Sequence, residues 1–311
     1  MDPLTHGLAG AVLAQAGFRQ RYGYQATLAL TGGALLPDMD IVWSPVKSVA
    51  ALESHRGITH SLVGALGLAL VLGLVLRILG RETRWMHLSA LSLLGILVGH
   101  LFLDLITTYG IQLLLPFSRT RPALDLVFIL DPIVTVPLLA ALIGGILWRH
   151  STAVIARLSL GLVVAYLGFM TFNHVAAVAA MERSVAGHGV SPVRVEALPG
   201  PLNPLRWQGL AESGGTYWTG DVQLWGGAVA LTAVPKGPDN PLVAAARVHP
   251  DVQIFLWFAR FPVVSFLEDG GQYVVEYRDL RFAHSLRNRT PFVLRVILSP
   301  AGEVVETLFT P

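Results

Sequence analysis

The run Leu62-Val-Gly-Ala-Leu-Gly-Leu-Ala-Leu-Val-Leu-Gly-Leu-Val-Leu76 carries no charge and no polar side chain, and it stands between His55-Arg-Gly-Ile-Thr-His60 on one side and Arg77 on the other. A helix built from it has no polar face to turn toward water, so it reads as part of a membrane span. The composition agrees. Of 311 residues, 53% are hydrophobic and 14% charged, and the mean hydropathy is +0.59. That is too apolar for an ordinary soluble domain and indicates an integral membrane protein. The net charge of +2 is too small to point to nucleic acid, and the pI near 9.1 reflects a slight excess of Lys and Arg over few acids. There are no cysteines, so disulfides, thiolate nucleophiles and cysteine zinc sites are excluded.

Working outward, about six membrane segments can be placed: Leu4 to Phe18, Ala26 to Trp43, Leu62 to Leu76, Met86 to Thr108, Leu126 to Trp148 and Ala153 to Ala180. The first is short enough to tilt or lie in the interface. Gly32-Gly33 allows the second to pack closely on a neighbour, and Thr59 or Ser61 can cap the third. The N-terminus lacks the basic region of a signal peptide and is expected to be retained. From about Glu182 the texture changes to short β-branched or alternating runs, at Tyr217 to Val234, Val252 to Phe266, Tyr273 to Phe282 and Phe292 to Phe309. Glu268-Asp-Gly-Gly271 and Ser299-Pro-Ala-Gly302 have the composition of hairpin turns. The expected organisation is a helical membrane domain, residues 1–181, followed by a mostly antiparallel β domain outside the bilayer, residues 183–311.

Polar residues gather at the segment ends. Pro37-Asp-Met-Asp40 and His55-Arg-Gly-Ile-Thr-His60 bring two carboxylates, two imidazoles and a guanidinium between apolar segments, and His100 and Asp104 lie one helical turn apart. Carboxylates and imidazoles are the donor set for Zn²⁺ or Mn²⁺, and ionisable groups beside a lipid-soluble segment are costly enough to imply a function. His6, Asp38, His55, His60, His100 and Asp104 are the expected metal ligands, for one or two divalent ions, zinc or manganese. Asp40 is a ligand or an orienter of a histidine, and Arg56 offers a fixed fork of donors for a substrate anion. Asp131 either caps the fifth segment or supports the site, and Arg119 and Arg121 touch either lipid headgroups or substrate. The isolated His87, His150, His174, His188, His249 and His284 are expected to be packing or interface residues.

Basic residues favour cytoplasmic ends, which Arg19, Arg21, Arg77, Arg81, Arg84, Arg149 and Arg157 would mark. If all six segments cross, every candidate ligand falls on the opposite, extracytoplasmic face, together with the β domain. Lys47, Arg119 and Arg121 go against that rule.

At Asp2-Pro-Leu-Thr-His6-Gly, Leu36-Pro-Asp-Met-Asp40, His55-Arg-Gly-Ile-Thr-His60-Ser and Gly99-His-Leu-Phe-Leu-Asp104 the sequence resembles the YdjM/YbcI-type membrane-bound metal-dependent hydrolases of bacterial and archaeal inner membranes. Arg260-Phe-Pro262 to Tyr277-Arg-Asp-Leu-Arg-Phe282 is similar to longer members. The resemblance implies a hydrolase whose site has a distant likeness to zinc-dependent phospholipase C, with a His-x-x-x-Asp pair at His100 and Asp104. Ligands at the ends of spans favour a membrane lipid or lipid-linked phosphoester as substrate over nucleic acid. The alternatives are an ion or metal transporter with polar residues along a pathway, and a scaffold held by a structural metal.

Overall fold

The computed structural model describes every residue except 45–47, 81–84, 227–228 and 284–290. Lys47, Arg81, Arg84 and His284 therefore lie outside the described residues. The chain divides into two compact units, one made of Met1–Val42 and Arg56–Phe172, the other of Trp43–His55 and Asn173–Pro311.

The first unit is helical. Helix α1, Pro3–Leu13, starts where the Asp2 carboxylate accepts the Thr5 N–H at 3.0 Å, with Pro3 supplying a helical φ at the first position. Helix α2, Tyr24–Leu35, tightens at its end into a 3₁₀ stretch, Leu36–Val42. Helix α3, Leu62–Gly80, is capped by Ser61, whose hydroxyl accepts the Gly64 N–H at 2.9 Å. Helix α4, Trp85–Leu105, contains a wide π turn at Leu97–Leu101. Helix α5, Pro132–Leu147, is followed by the long α6, Thr152–Gly187.

The count of six membrane segments is corrected by these lengths. Among the described residues, three helices are long and apolar enough to cross a membrane: Leu62–Gly80, Trp85–Leu105 and Arg149–Gly187. Pro132–Leu147 is a shorter apolar one. The first two expected segments fall short. The regular part of α1 covers 11 residues before a π stretch, Ala14–Phe18, that is broken at Gly17 (φ 146°), and that of α2 covers 12, so at about 1.5 Å per residue the regular parts reach only about 17 and 18 Å, against a hydrocarbon core of ~30 Å.

Small residues let α2 and α4 approach closely. A side chain at Gly33 would run into the Ser92 carbonyl, and one at Gly95 into the Leu30 carbonyl. The neighbours in both cases are backbone, which cannot give way as a flexible side chain can. Gly95→Leu is accordingly expected to lower stability by ~2 kcal/mol or more. Thermal unfolding in detergent checks this, and a wild-type melting curve would mean that the two helices are not in tight contact.

In the second unit, two antiparallel four-stranded sheets run in simple sequence order. The first holds β1 Arg194–Pro199, β2 Arg206–Ser213, β3 Thr216–Gln223 and β4 Leu231–Pro235. The second holds β5 Pro262–Asp269, β6 Gln272–Asp279, β7 Val293–Leu298 and β8 Val304–Thr310. Both expected turns are present. Gly270 and Gly271 take φ 58° and 81° between paired Asp269 and Gln272, the conformation of a two-residue hairpin, and Gly302 takes φ 82° between β7 and β8. Leu198, Leu210, Tyr217, Phe261 and Val263 form a buried core. The strand reading of Val252 to Phe266 is corrected in its first half. In chain order, two short helices, α7 Pro241–Arg247 and α8 Pro250–Phe258, separate the two sheets, and strand begins only at Pro262.

Candidate metal centre

Four stretches of the first unit bring the polar residues together. Capping by Asp2 sets α1 so that His6 is buried one turn in, and the 3₁₀ stretch after α2 turns Asp38 and Asp40 toward His60. His60 ends a single 3₁₀ turn, Ile58–His60, just before α3. His100 lies in the π turn of α4 and Asp104 one turn later, so their i,i+4 spacing does place them on one face, with Nε2 3.6 Å from Oδ2.

One donor atom from each of Asp38, His60, His100 and Asp104 lies within 4.8 Å of the others. His60 Nε2 is 3.4 Å from both Asp38 Oδ1 and Asp104 Oδ2, His100 Nε2 is 3.5 Å from Asp38 Oδ1, and the two Nε2 atoms are 2.9 Å apart. Four ligands at 2.0–2.2 Å around a tetrahedral ion stand about 3.3–3.6 Å from one another, so most of these spacings suit one ion. Asp104, His60 and His100 are fully buried, and Asp38 keeps 19% of its side chain exposed.

The hydrogen bonds fix which imidazole nitrogen faces inward. His100 Nδ1 is 2.7 Å from the Ala34 carbonyl and His6 Nδ1 is 2.9 Å from the Gly99 carbonyl. A carbonyl can only accept, so both Nδ1 atoms carry the proton and, on a neutral ring, Nε2 presents a lone pair. The Ala34 carbonyl is one of the four at a helix C-terminus that lack an intrahelical partner, and His100 supplies one. His60 Nδ1 is 3.0 Å from the Thr59 hydroxyl, which donates to Asp40 Oδ2 at 3.0 Å, and is itself 3.5 Å from Asp40. Three Nε2 atoms thus converge on carboxylates: His6 Nε2 is 3.3 Å from Asp104 Oδ1, and neither His6 Nε2 nor Asp104 Oδ2 has a hydrogen-bond partner among the described residues. Lone pairs facing one another and a carboxylate repel unless a cation or proton sits among them. The donor set therefore fits a divalent metal.

Burial disfavours charge on His60, but Asp104 and Asp38 beside it outweigh this and raise its pKa above the ordinary imidazole value. Burial also favours the neutral acid of Asp38, and the adjacent His60 overcomes it to hold the carboxyl well below the usual range. A metal held here would compete with a proton for His60 Nε2.

Arg56 completes the cluster. Its Nη2 is 3.0 Å from Asp104 Oδ1, which the Met1 ammonium also contacts, and its guanidinium lies over the Tyr109 ring at 4.7 Å. Nε and Nη1 are buried with no partner among the described residues. The turn falls on Arg56 itself, at φ 60°, while the neighbouring Gly57 keeps a negative φ of −86°. A non-glycine residue there is strained by of order 1 kcal/mol. It is held because its N–H donates to Asp40 Oδ2 at 3.0 Å and its carbonyl accepts from Gln112 at 3.2 Å.

The other expected site residues stand elsewhere. His55 follows the short helix Ala51–Ser54 in extended backbone, belongs to the second unit and is not part of the four-residue group. Asp131 caps α5, accepting from Ile133 N–H at 2.9 Å and from the Tyr166 hydroxyl at 2.8 Å. Arg119 is exposed. Arg121 donates to the Tyr109 and Gly110 carbonyls at 3.3 and 3.1 Å and lies over the same Tyr109 ring as Arg56. Thr59 and Tyr109 were not anticipated in these roles, although Thr59 lies inside the His55 to His60 stretch and Tyr109 directly after the fourth segment.

The family model of the YdjM inner membrane protein matches residues 1–177, the whole of the cluster included. The chain belongs to the YdjM inner membrane protein family. A second family model, the YfhP C-terminal alpha/beta plait domain, matches residues 241–310, which hold α7, α8 and β5 to β8. The uncharacterized protein YfhP of Bacillus subtilis (strain 168) is 24% identical over 307 residues, covering 94% of this chain and 90% of its own length. No solved structure matches. The comparisons do not show the more distant likeness to zinc-dependent phospholipase C.

Proposed function

We propose that this family member is a membrane-bound metal-dependent hydrolase acting on a phosphoester of a lipid or lipid-linked substrate. The observation that carries the reading is the convergence of three Nε2 lone pairs and two carboxylates beside a buried guanidinium with two unspent donors. Asp38, His60, His100 and Asp104 would hold the ion, with His6 beside them. Such an ion, zinc or manganese, supplies Lewis acidity and lowers the pKa of water. Asp40 orients His60 through Thr59, and Arg56 offers Nε and Nη1 to a phosphate oxygen.

The location supports a lipid. Candidate span α3 begins two residues after His60, and candidate span α4 ends one residue after Asp104, so the cluster sits at the shared end of two spans. The proposal puts this end on the extracytoplasmic side, because Arg77 closes the opposite end of α3 and basic residues favour the cytoplasm.

The test is elemental analysis of detergent-purified protein together with release of phosphate or headgroup from lipid phosphomonoesters and diesters. About one ion per chain and metal-dependent turnover are expected. A protein that neither carries nor rebinds zinc or manganese would end the hydrolase reading. Bound metal without turnover, but with metal uptake into proteoliposomes, would replace it with transport.

A further inference from the structure

Asp38 is the only one of the four clustered donors with appreciable exposure, so whatever reaches the cluster passes it. Its surroundings follow from the 3₁₀ geometry of Leu36–Val42, in which residues three apart eclipse one another. Pro37 and Asp40 form the inward row and are buried. Asp38 shares its row with Ile41, which is 53% exposed, and Met39 on the next row is 51% exposed. On the α1 side, Leu4 and Gly7 share a helix face, and the exposed Leu35 covers Gly7 so closely that a Cβ there would lie 3.3 Å from it. Leu4, Leu35, Met39 and Ile41 thus give the segments around Asp38 an apolar exterior. Asp38 and Asp40 of the 3₁₀ stretch turn inward, as does Arg56 from the neighbouring turn, while Asp2 at the start of α1 is held by its capping bonds to Thr5.

On a chain with candidate membrane spans, a cluster of exposed apolar side chains marks a membrane contact. Resting on the hydrolase reading above, we infer that the mouth of the cluster opens sideways into the bilayer, and that the ligand is an anionic lipid. Its phosphate meets Arg56 and its acyl chain lies along Leu4, Leu35, Met39 and Ile41. The two ends of this ligand match the two chemistries. Arg56 has two buried donors for the anion, and the rim has nothing to offer a polar tail.

The absence of native cysteines makes single-thiol labelling clean. Met39→Cys and Ile41→Cys carrying a nitroxide are reconstituted into vesicles of phosphatidylglycerol and phosphatidylethanolamine, with Leu66→Cys on the exposed face of α3 as the lipid-facing reference. Collision rates with oxygen, which partitions into lipid, and with a water-soluble nickel chelate are measured at each position. Oxygen accessibility several-fold above that of nickel at 39 and 41, as at 66, is expected. The reverse ratio at both sites overturns the inference. In the second arm, Ile41→Asn is compared on a long-chain and a short-chain phosphate ester, and KM is expected to rise at least tenfold more for the long-chain one. Equal effects on the two esters also overturn it. Lipid-like accessibility at 39 and 41 in a protein that hydrolyses neither ester would retain the bilayer-facing mouth and remove only the hydrolase reading.

Discussion

Asp104→Asn is expected to strip the metal and bring hydrolysis to background. Asparagine matches the size of the carboxylate, so packing is preserved and the experiment isolates charge. Asp104 meets four side chains of the cluster: Arg56 is 3.0 Å away, His6 3.3 Å, His60 3.4 Å and His100 3.6 Å, the three imidazoles fully buried and Arg56 nearly so. Its charge, with that of Asp38, balances a dication, and the loss of a direct ligand should exceed the ~10–100-fold fall in affinity that follows from losing a group that merely supports one. The same change leaves Arg56 buried without its partner, and breaking a buried pair costs ~3–5 kcal/mol. The two effects separate in Asp104→Asn/Arg56→Gln. Removing both charges should return the share of stability lost at Arg56, while the Met1 ammonium still lacks its carboxylate and the metal stays absent. Elemental analysis and thermal melts of the two variants and wild type decide it. A folded Asp104→Asn protein with its full complement of metal would rule out this cluster as the metal site.

Much of the cluster was legible because membrane cost makes polar residues informative. Asp38, His60, His100 and Asp104 come from three separate stretches, and each stood out because its neighbours could not tolerate it without a purpose. The i,i+4 spacing of His100 and Asp104 alone was weak, yet it brings them together even across a π turn. His55 is not among the four grouped donors. It precedes Arg56 in the left-handed region, and nothing in the residue type announces that turn while Gly57 stands next to it. The acceptors that fix the imidazoles, the Ala34 and Gly99 carbonyls, belong to backbone and leave no mark in any sequence.

The fold was less legible where hydropathy and length part company. Ala26 to Trp43 is apolar enough to resemble a span, but Pro37, Asp38 and Asp40 end its α-helical part at Leu35. In the second unit, Val252, Phe255 and Phe258 suggested strand by composition. Their three-residue spacing, preceded by His249 accepting the Asp251 N–H at 3.2 Å and by Pro250, is the helical signal that should have prevailed. Periodicity and capping geometry decided that segment, and β-branched or aromatic content did not.

Arg56→Lys separates the guanidinium's charge from its shape. Lysine retains the positive charge, so Asp104 keeps a counter-ion and the fold should survive, but its three donors leave one rotatable nitrogen and cannot hold Asp104 and a phosphate along the separate fixed directions of a planar fork. Arg56 does both in the geometry observed, with Nη2 on Asp104 and with Nε and Nη1 unspent. The Tyr109 ring 4.7 Å from the guanidinium holds its plane, a contact that suits a flat group better than a tetrahedral one. Losing directed donors to a developing negative charge costs about 10²–10³ in rate. The expected result is therefore a kcat/KM for the lipid phosphoester lower by that factor, metal content close to one ion per chain, and weaker inhibition by inorganic phosphate. Metal loss equal to that of Asp104→Asn would instead assign Arg56 a structural part in holding the carboxylate. An unchanged kcat/KM would remove it from substrate binding, because nothing else about the variant protects the reaction from the lost fork.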